Sequence, residues 1–282
     1  MERKKLTIPD ISNKKREGKK ITMLTAYDFP SGRLIDEAGL DMILVGDSLA
    51  MTVLGYDTTI PVTMDEMIHH SKAVKRGVRY ALLIGDMPFM SFNVTIEETI
   101  RNAGRFIKEG GCDAVKLEGG LEAAGATKAL VAAGIPVLGH IGLTPQTASQ
   151  LGGFKVQGKD AKSAQSLINS ALALEEAGSF AVVLECVPDK LAALITKKLK
   201  IPTIGIGAGP YCDGQVLVTN DMIGLFERFT PKFVKRYKNL WPELLEAFKK
   251  FKDDVENSQF PDKEHSFTMN EDELKKLKKT KT

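Results

Sequence analysis

The sequence predicts an α/β protein closed into a TIM-type (β/α)8 barrel with extra helices at its carboxyl end. Three observations carry this expectation. Eight short apolar runs recur along the chain: Ile21 to Thr25, Met42 to Val45, Ala81 to Gly85, Ala114 to Glu118, Pro136 to His140, Ala181 to Glu185, Thr203 to Ile206 and Gln215 to Val218. Most are continuously apolar rather than alternating, as parallel strands covered on both faces must be. Between them one punctuation returns, a helical segment that stops at glycine just before the next run, at Gly39, Gly110-Gly111, Gly134 and Gly178. Right-handed βα units repeated in this way form either an open doubly wound sheet or a barrel, and eight units favour closure.

Taken in order, the amino terminus MERKKLTIPDISNKKREGKK is charged and has no apolar stretch that reads as a secretion signal. Nowhere do about 18 apolar residues run uninterrupted, so no membrane span is expected and the protein is expected in the cytoplasm. The first run is followed by Tyr27-Asp28 and the second by Asp47-Ser48. Thr63-Met-Asp-Glu66 and Thr95-Ile-Glu-Glu98 have capping-box form and start helices. After the second box, Ile96, Ile100, Ala103 and Ile107 share one face, expected against the sheet. His69-His70 lie mid-helix and read as surface residues. The stretch from Gly142 to Lys159 is too long for a plain connection and reads as an active-site loop. Gly205-Ile-Gly-Ala-Gly209 fits either a phosphate-binding turn or simply a tight turn. Helices are expected across Pro231 to Asn257, with Leu244, Leu245, Phe248 and Phe251 packing on the barrel or on another subunit. Residues 1–262 are expected to form one domain, and 263–282 a charged, mobile tail.

Cys112, Cys186 and Cys212 form no CxxC pair, which argues against a zinc cage and for a reduced compartment. The net charge of +3 comes partly from clusters at the two ends, Lys14-Lys15-Arg16 and Lys275 to Lys281, which read as solvated termini rather than a nucleic-acid surface.

In such a barrel the chemistry sits where the strands end. Asp47, Ser48, Asp86, Lys116, Glu118, His140 and Glu185 all fall at or near the ends of consecutive runs. A single strand-end aspartate is ordinarily a helix cap. Several carboxylates converging on one rim repel one another unless a cation lies between them. Acidic groups without cysteine favour Mg2+ over Zn2+, with Mn2+ or another divalent ion as substitute. A 2-oxo acid chelated by such an ion is activated for enolate chemistry. Lys116 would stabilise the oxyanion, or pair with Glu118 or Asp86. Glu185, between Val182-Val183-Leu184 and Cys186-Val187-Pro188, suits a general base, the competing reading being a structural partner of Lys116. His140 orients a ligand or hydrogen-bonds within the mouth.

Thr25-Ala-Tyr-Asp28, Val45-Gly-Asp-Ser-Leu49, Leu54-Gly-Tyr56, Gly85-Asp-Met-Pro-Phe89, Val115-Lys-Leu-Glu-Gly-Gly120, Gly139-His-Ile-Gly-Leu-Thr-Pro-Gln146, Gly153 to Lys159, Gly205 to Gly209, Asp213 to Leu217, and Phe260-Pro261 with Glu264 to Phe267 occur in that order. With them the chain resembles the ketopantoate hydroxymethyltransferases from about residue 5 to 267. The resemblance implies a barrel like those of phosphoenolpyruvate mutase and isocitrate lyase. It implies hydroxymethyl transfer from 5,10-methylenetetrahydrofolate to 3-methyl-2-oxobutanoate, forming 2-dehydropantoate for pantothenate and coenzyme A synthesis by way of a Mg2+-stabilised enolate. It implies one Mg2+ per subunit on Asp47 and Asp86 with Glu118 as a third carboxylate. Ser48, Lys116, Asp47, Asp86 and, by its position, His140 are expected at the substrate, Glu185 as base, and the assembly as a homodecamer. Ala50 and Cys112 depart from the usual pattern without removing a functional group. The rivals are a lyase or mutase of the same superfamily, whose Lys-x-Cys-Gly-His loop is missing here, and a non-catalytic ligand-binding barrel, which the complete residue set disfavours.

Overall fold

A computed structural model describes residues 3–150 and 152–279. In chain order its elements are α1 (Ile8–Arg16), β1 (Ile21–Thr25), α2 (Phe29–Glu37), β2 (Met42–Val45), α3 (Leu49–Thr52), α4 (Met64–Gly77), β3 (Leu82–Asp86), α5 (Ile96–Lys108), β4 (Ala114–Glu118), α6 (Ala124–Ala132), β5 (Val137–Gly142), α7 (Ala161–Glu176), β6 (Ala181–Glu185), α8 (Asp189–Lys198), β7 (Thr203–Ile206), β8 (Gly214–Leu217), α9 (Thr219–Met222), α10 (Leu240–Glu256) and α11 (Glu271–Lys279). All eight strands pair in parallel with their sequence neighbours, and β1 closes on β8. The barrel is the one expected, with strand limits moved by a residue or two; β5 runs on to Gly142.

The core forms in shells. Inside the barrel, Met23, Met42, Leu82, Ala114, Leu138, Ala181, Ile204 and Val216 fill the lower layers, and Ile11 of α1 joins them from below. Helix α1 is therefore a plug on the amino end of the barrel. Outside, the strands pack on α2 to α6 through one apolar cluster and on α7 and α8 through another. Gly178, at φ 97° after α7, is one of the predicted helix stops, and its left-handed backbone is costly for any residue with a Cβ. Gly85 has a different reason to be glycine. A Cβ there would lie 2.2 Å from the ring of Phe106, so the gap lets α5 press against β3 immediately before Asp86.

Several expectations are corrected. The Thr63 capping box is complete, whereas Thr95 accepts from the Glu98 amide without the reciprocal bond. On α5 the deepest residues are Thr99, Ala103 and Phe106, with Ile100 and Ile107 half-buried and Ile96 exposed, so the buried face is rotated from the one expected. Among the described residues no helix joins β7 to β8, because 207–213 must return the chain to the barrel floor. The glycines of this stretch serve close packing: a Cβ on Gly207 would meet Phe233 at 2.7 Å and one on Gly209 would meet Asp189 at 2.5 Å. Residues 231–239 are not α-helical as expected. Tyr237, Leu240 and Trp241 instead donate backbone hydrogen bonds to Met222, Ile223 and Gly224, docking the segment beside α9. Helix α10 then leaves Leu244, Leu245, Phe248 and Phe251 exposed in the single chain. Of the two adjacent histidines, His69 is exposed and His70 half-buried, its Nδ1 2.6 Å from the Tyr27 carbonyl.

Candidate active site

Strand register places the polar groups. Alternation along β4 puts Lys116 and Glu118 on the same face, and the parallel pairing sets Asp86 beside Lys116, Glu118 beside His140, and Gly142 beside Glu185. Asp47 follows β2 through Gly46, and Ser48 opens α3. Every predicted site residue, Asp47, Ser48, Asp86, Lys116, Glu118, His140 and Glu185, lines one cavity of about 510 Å3 at the carboxyl end of the barrel.

The floor of that cavity is a continuous ionic chain. Lys116 Nζ lies 2.9 Å from both oxygens of Asp86 and 3.3 Å from Glu118 Oε1. His140 stands between Glu118, 3.4 Å from Nδ1, and Glu185, 3.3 Å from Nε2, at angles short of well-formed hydrogen bonds. The Asp47 amide donates to Asp86 at 3.0 Å. Tyr27 and Ser48 share a hydroxyl hydrogen bond of 2.8 Å.

Sequence reasoning gave no role to Gln146, 3% exposed on a short 3-10 turn four residues past the end of β5. Its side-chain amide donates to Asp47 Oδ2 and to the Met87 carbonyl, both at 2.9 Å, and its backbone amide donates to Glu118 Oε2 at 3.1 Å. The first turn of the long loop is thereby tied to two carboxylates. Phe154 and Val156, farther along it, reach the cavity wall.

The charges are unevenly served. Burial raises the Asp47 carboxyl well above the usual range, and Asp86 pushes it further. Burial raises Asp86 as well, with Lys116 pulling it back. Burial also works against Glu118, but Lys116 and His140 outweigh it and draw the carboxyl down to about 2. Burial disfavours the Lys116 ammonium, yet Asp86, Glu118 and Asp47 together hold it charged. Burial and Lys116 disfavour the His140 cation, but Glu118 and Glu185 raise it to about 9.

These directions test the expected metal set. Asp47 and Asp86 are adjacent, buried and short of positive charge, and Asp47 Oδ1 takes no hydrogen bond among the described residues. An all-oxygen pair of this kind fits a hard divalent cation, which would displace the proton that burial otherwise favours. Glu118 is more fully engaged. Lys116, His140 and the Gln146 amide already engage it, and among the described residues no three His, Cys, Asp or Glu side chains are arranged to hold a metal ion. The Lys116 ammonium lies between Asp86 and Glu118 and engages both.

Residues 5–263 match the family described as ketopantoate hydroxymethyltransferase. The chain belongs to that family. Among its relatives, the 3-methyl-2-oxobutanoate hydroxymethyltransferase of Heliobacterium modesticaldum is 58% identical, covering 97% of this chain and 99% of the relative. The enzyme of the same name from Syntrophomonas wolfei is 56% identical over the same shares of the two chains. Membership of this family makes the protein an enzyme of the hydroxymethyltransferase class. The solved structures share the fold at low identity. A phosphonopyruvate hydrolase in complex with oxalate and Mg2+ superposes with a TM-score of 0.60 at 13% identity, covering 96% of this chain and 98% of the other. A 2,3-dimethylmalate lyase of the phosphoenolpyruvate mutase and isocitrate lyase superfamily gives 0.59 at 15% identity, covering 96% and 97%.

Proposed function

We propose that the protein transfers a hydroxymethyl group from 5,10-methylenetetrahydrofolate to 3-methyl-2-oxobutanoate, forming 2-dehydropantoate for pantothenate synthesis. One observation supports the chemistry above all: a buried Asp47–Asp86 pair short of positive charge, with Lys116 beside it and Glu185 facing the same cavity. Asp47 and Asp86 would hold Mg2+, which would supply Lewis-acid chemistry to a bound 2-oxo acid.

The side chains account for the remaining steps. Glu185 is the least enclosed carboxylate of the chain of charges, its side chain 16% exposed against 3% for Glu118, and it takes the proton from C3. The His140 ring lies beside it, Nε2 3.3 Å from a Glu185 oxygen. Lys116 supplies fixed positive charge where the ketone oxygen becomes an enolate, and Glu118 keeps that ammonium oriented. Ser48, braced by Tyr27, lines the substrate end of the floor. The C3 carbon then bonds to the one-carbon unit as its two bonds to the folate nitrogens break, water supplies the hydroxyl group, and the nitrogens take up the proton held by Glu185 and the other proton of the water.

No helix of the described residues is long and apolar enough to cross a membrane, in keeping with a cytoplasmic enzyme. The exposed apolar side chains of α10 support assembly of several copies, a decamer by family resemblance.

The test combines purified protein, Mg2+, 3-methyl-2-oxobutanoate and methylenetetrahydrofolate, with product followed by mass. Formation of 2-dehydropantoate that requires all three is the expected result. No product, or the same rate without folate, rejects the reading.

A further inference from the structure

The mouth cavity contains a second acidic group that the chemistry above leaves idle. Asp221, on α9, is 9% exposed and lines the same cavity. Among the described residues its carboxylate has no hydrogen bond and no ion pair. Burial lifts it to about 6, and the cation that pulls it back, Arg236, is itself paired with Glu227 at 3.3 Å. It does not cap its own helix either, since the start of α9, with Val218 as N-cap, has no side-chain cap. Its oxygens are not sealed from the cavity, so water serves them in the free enzyme and a ligand bound there can replace that water with donors of its own.

Its surroundings describe that ligand. Thr219 bonds to Thr25 and Asn220 to Thr52 of α3, the helix that Ser48 opens, so Asp221 lies on the Ser48 side of the cavity. The half-buried Phe226 and the exposed Phe229 line the wall on the same chain segment, and the exposed Lys232 stands farther along it. A cavity of about 510 Å3 holds much more than a five-carbon acid fills. The remaining space thus offers two adjacent acceptor oxygens, flat apolar surfaces and a cation near the outside.

We propose that Asp221 recognises the pterin ring of the reduced folate, its two oxygens accepting the ring N3–H and the 2-amino N–H. A 2-amino-4-oxopteridine presents these two donors side by side, the spacing a carboxylate accepts in bidentate fashion. Phe226 packs against the ring, and Lys232 suits the carboxylates of the glutamate tail. The inference rests on the folate reading above and assigns the residue that performs it.

Asp221→Asn and Asp221→Ala, together with a methylene donor built on 2-desamino-2-methyltetrahydrofolate, test it. Loss of charge-assisted hydrogen bonds predicts a KM for methylenetetrahydrofolate raised about tenfold or more in both variants. Exchange of the C3 proton of 3-methyl-2-oxobutanoate, which needs no folate, should stay within about threefold of native and reports that the fold and floor are intact. The native enzyme should disfavour the desamino donor about tenfold or more, and Asp221→Ala should treat the two donors alike. An unchanged folate KM in the variants overturns the proposal. So does native indifference to the 2-amino group, or exchange and turnover falling in parallel, which marks a structural role. If the native enzyme makes no product with folate, the functional reading itself fails.

Discussion

The two ends of this barrel use acidic side chains in opposite ways. At the amino end, Asp41, Asp113 and Asp213 sit just before β2, β4 and β8. Each accepts a backbone amide from a neighbouring strand, from Thr22, Leu83 and Thr203 respectively. Each also has its own lysine: Lys14 at 2.5 Å, Lys5 at 2.5 Å and Lys15 at 2.9 Å. Donors and charges there are matched one to one. At the carboxyl end Asp47, Asp86, Glu118 and Glu185 share Lys116 and His140. Similar side chains therefore stabilise one end and leave the other short of positive charge. That shortfall, kept in a buried cavity, is what a divalent cation and a proton-accepting carboxylate require.

The largest effect that sharpens this contrast is expected from Lys116→Met, which leaves Asp86 and Glu118 without their shared cation. C3-proton exchange should fall by roughly a hundredfold or more, and denaturant unfolding should show a loss of about 3 kcal/mol or more. Near-native exchange would mean that Lys116 is only a structural counter-ion. Gln146→Leu comes next. It keeps the volume but releases Asp47 Oδ2, and one charge-assisted hydrogen bond predicts roughly a tenfold rise in the KM for the 2-oxo acid with kcat little changed. Equal losses in both substrates' KM values would instead point to collapse of the loop. The smallest effect belongs to the amino end. Lys14→Ala, at a partly exposed pair, should lower stability by about 1 kcal/mol or less and leave every kinetic constant alone. An activity loss there would break the division between the two ends.

How legible these features are depends on what fixes them. Strands β2 to β7 stand out in the sequence because burial on both faces demands mostly apolar runs, whereas β1 and β8 alternate, and polar residues at or just past the ends of β2 to β6 mark the rim. The absence of a helix in 207–213 gave no such signal, since it goes with close packing of Gly207 on Phe233 and Gly209 on Asp189. Residues 231–239 were not legible either, because backbone hydrogen bonds to α9 override their local pattern. The partners of Glu118 were half legible, for alternation along β4 already sets Lys116 beside it, whereas only the pairing of β4 with β5 brings His140 to it. Gln146 and Asp221 gave no separate signal. An amide in a loop and an aspartate in a four-residue helix acquire meaning only from the partners, or lack of partners, that closure of the barrel brings.

The central claim, that Glu185 removes the C3 proton from a 2-oxo acid held on this floor, is tested most directly by NMR in deuterated water. With native enzyme, Mg2+ and 3-methyl-2-oxobutanoate, the C3–H signal should disappear. With Glu185→Gln the rate should drop by about a hundredfold or more while the 2-oxo acid still binds. Exchange at the native rate in Glu185→Gln would contradict the account.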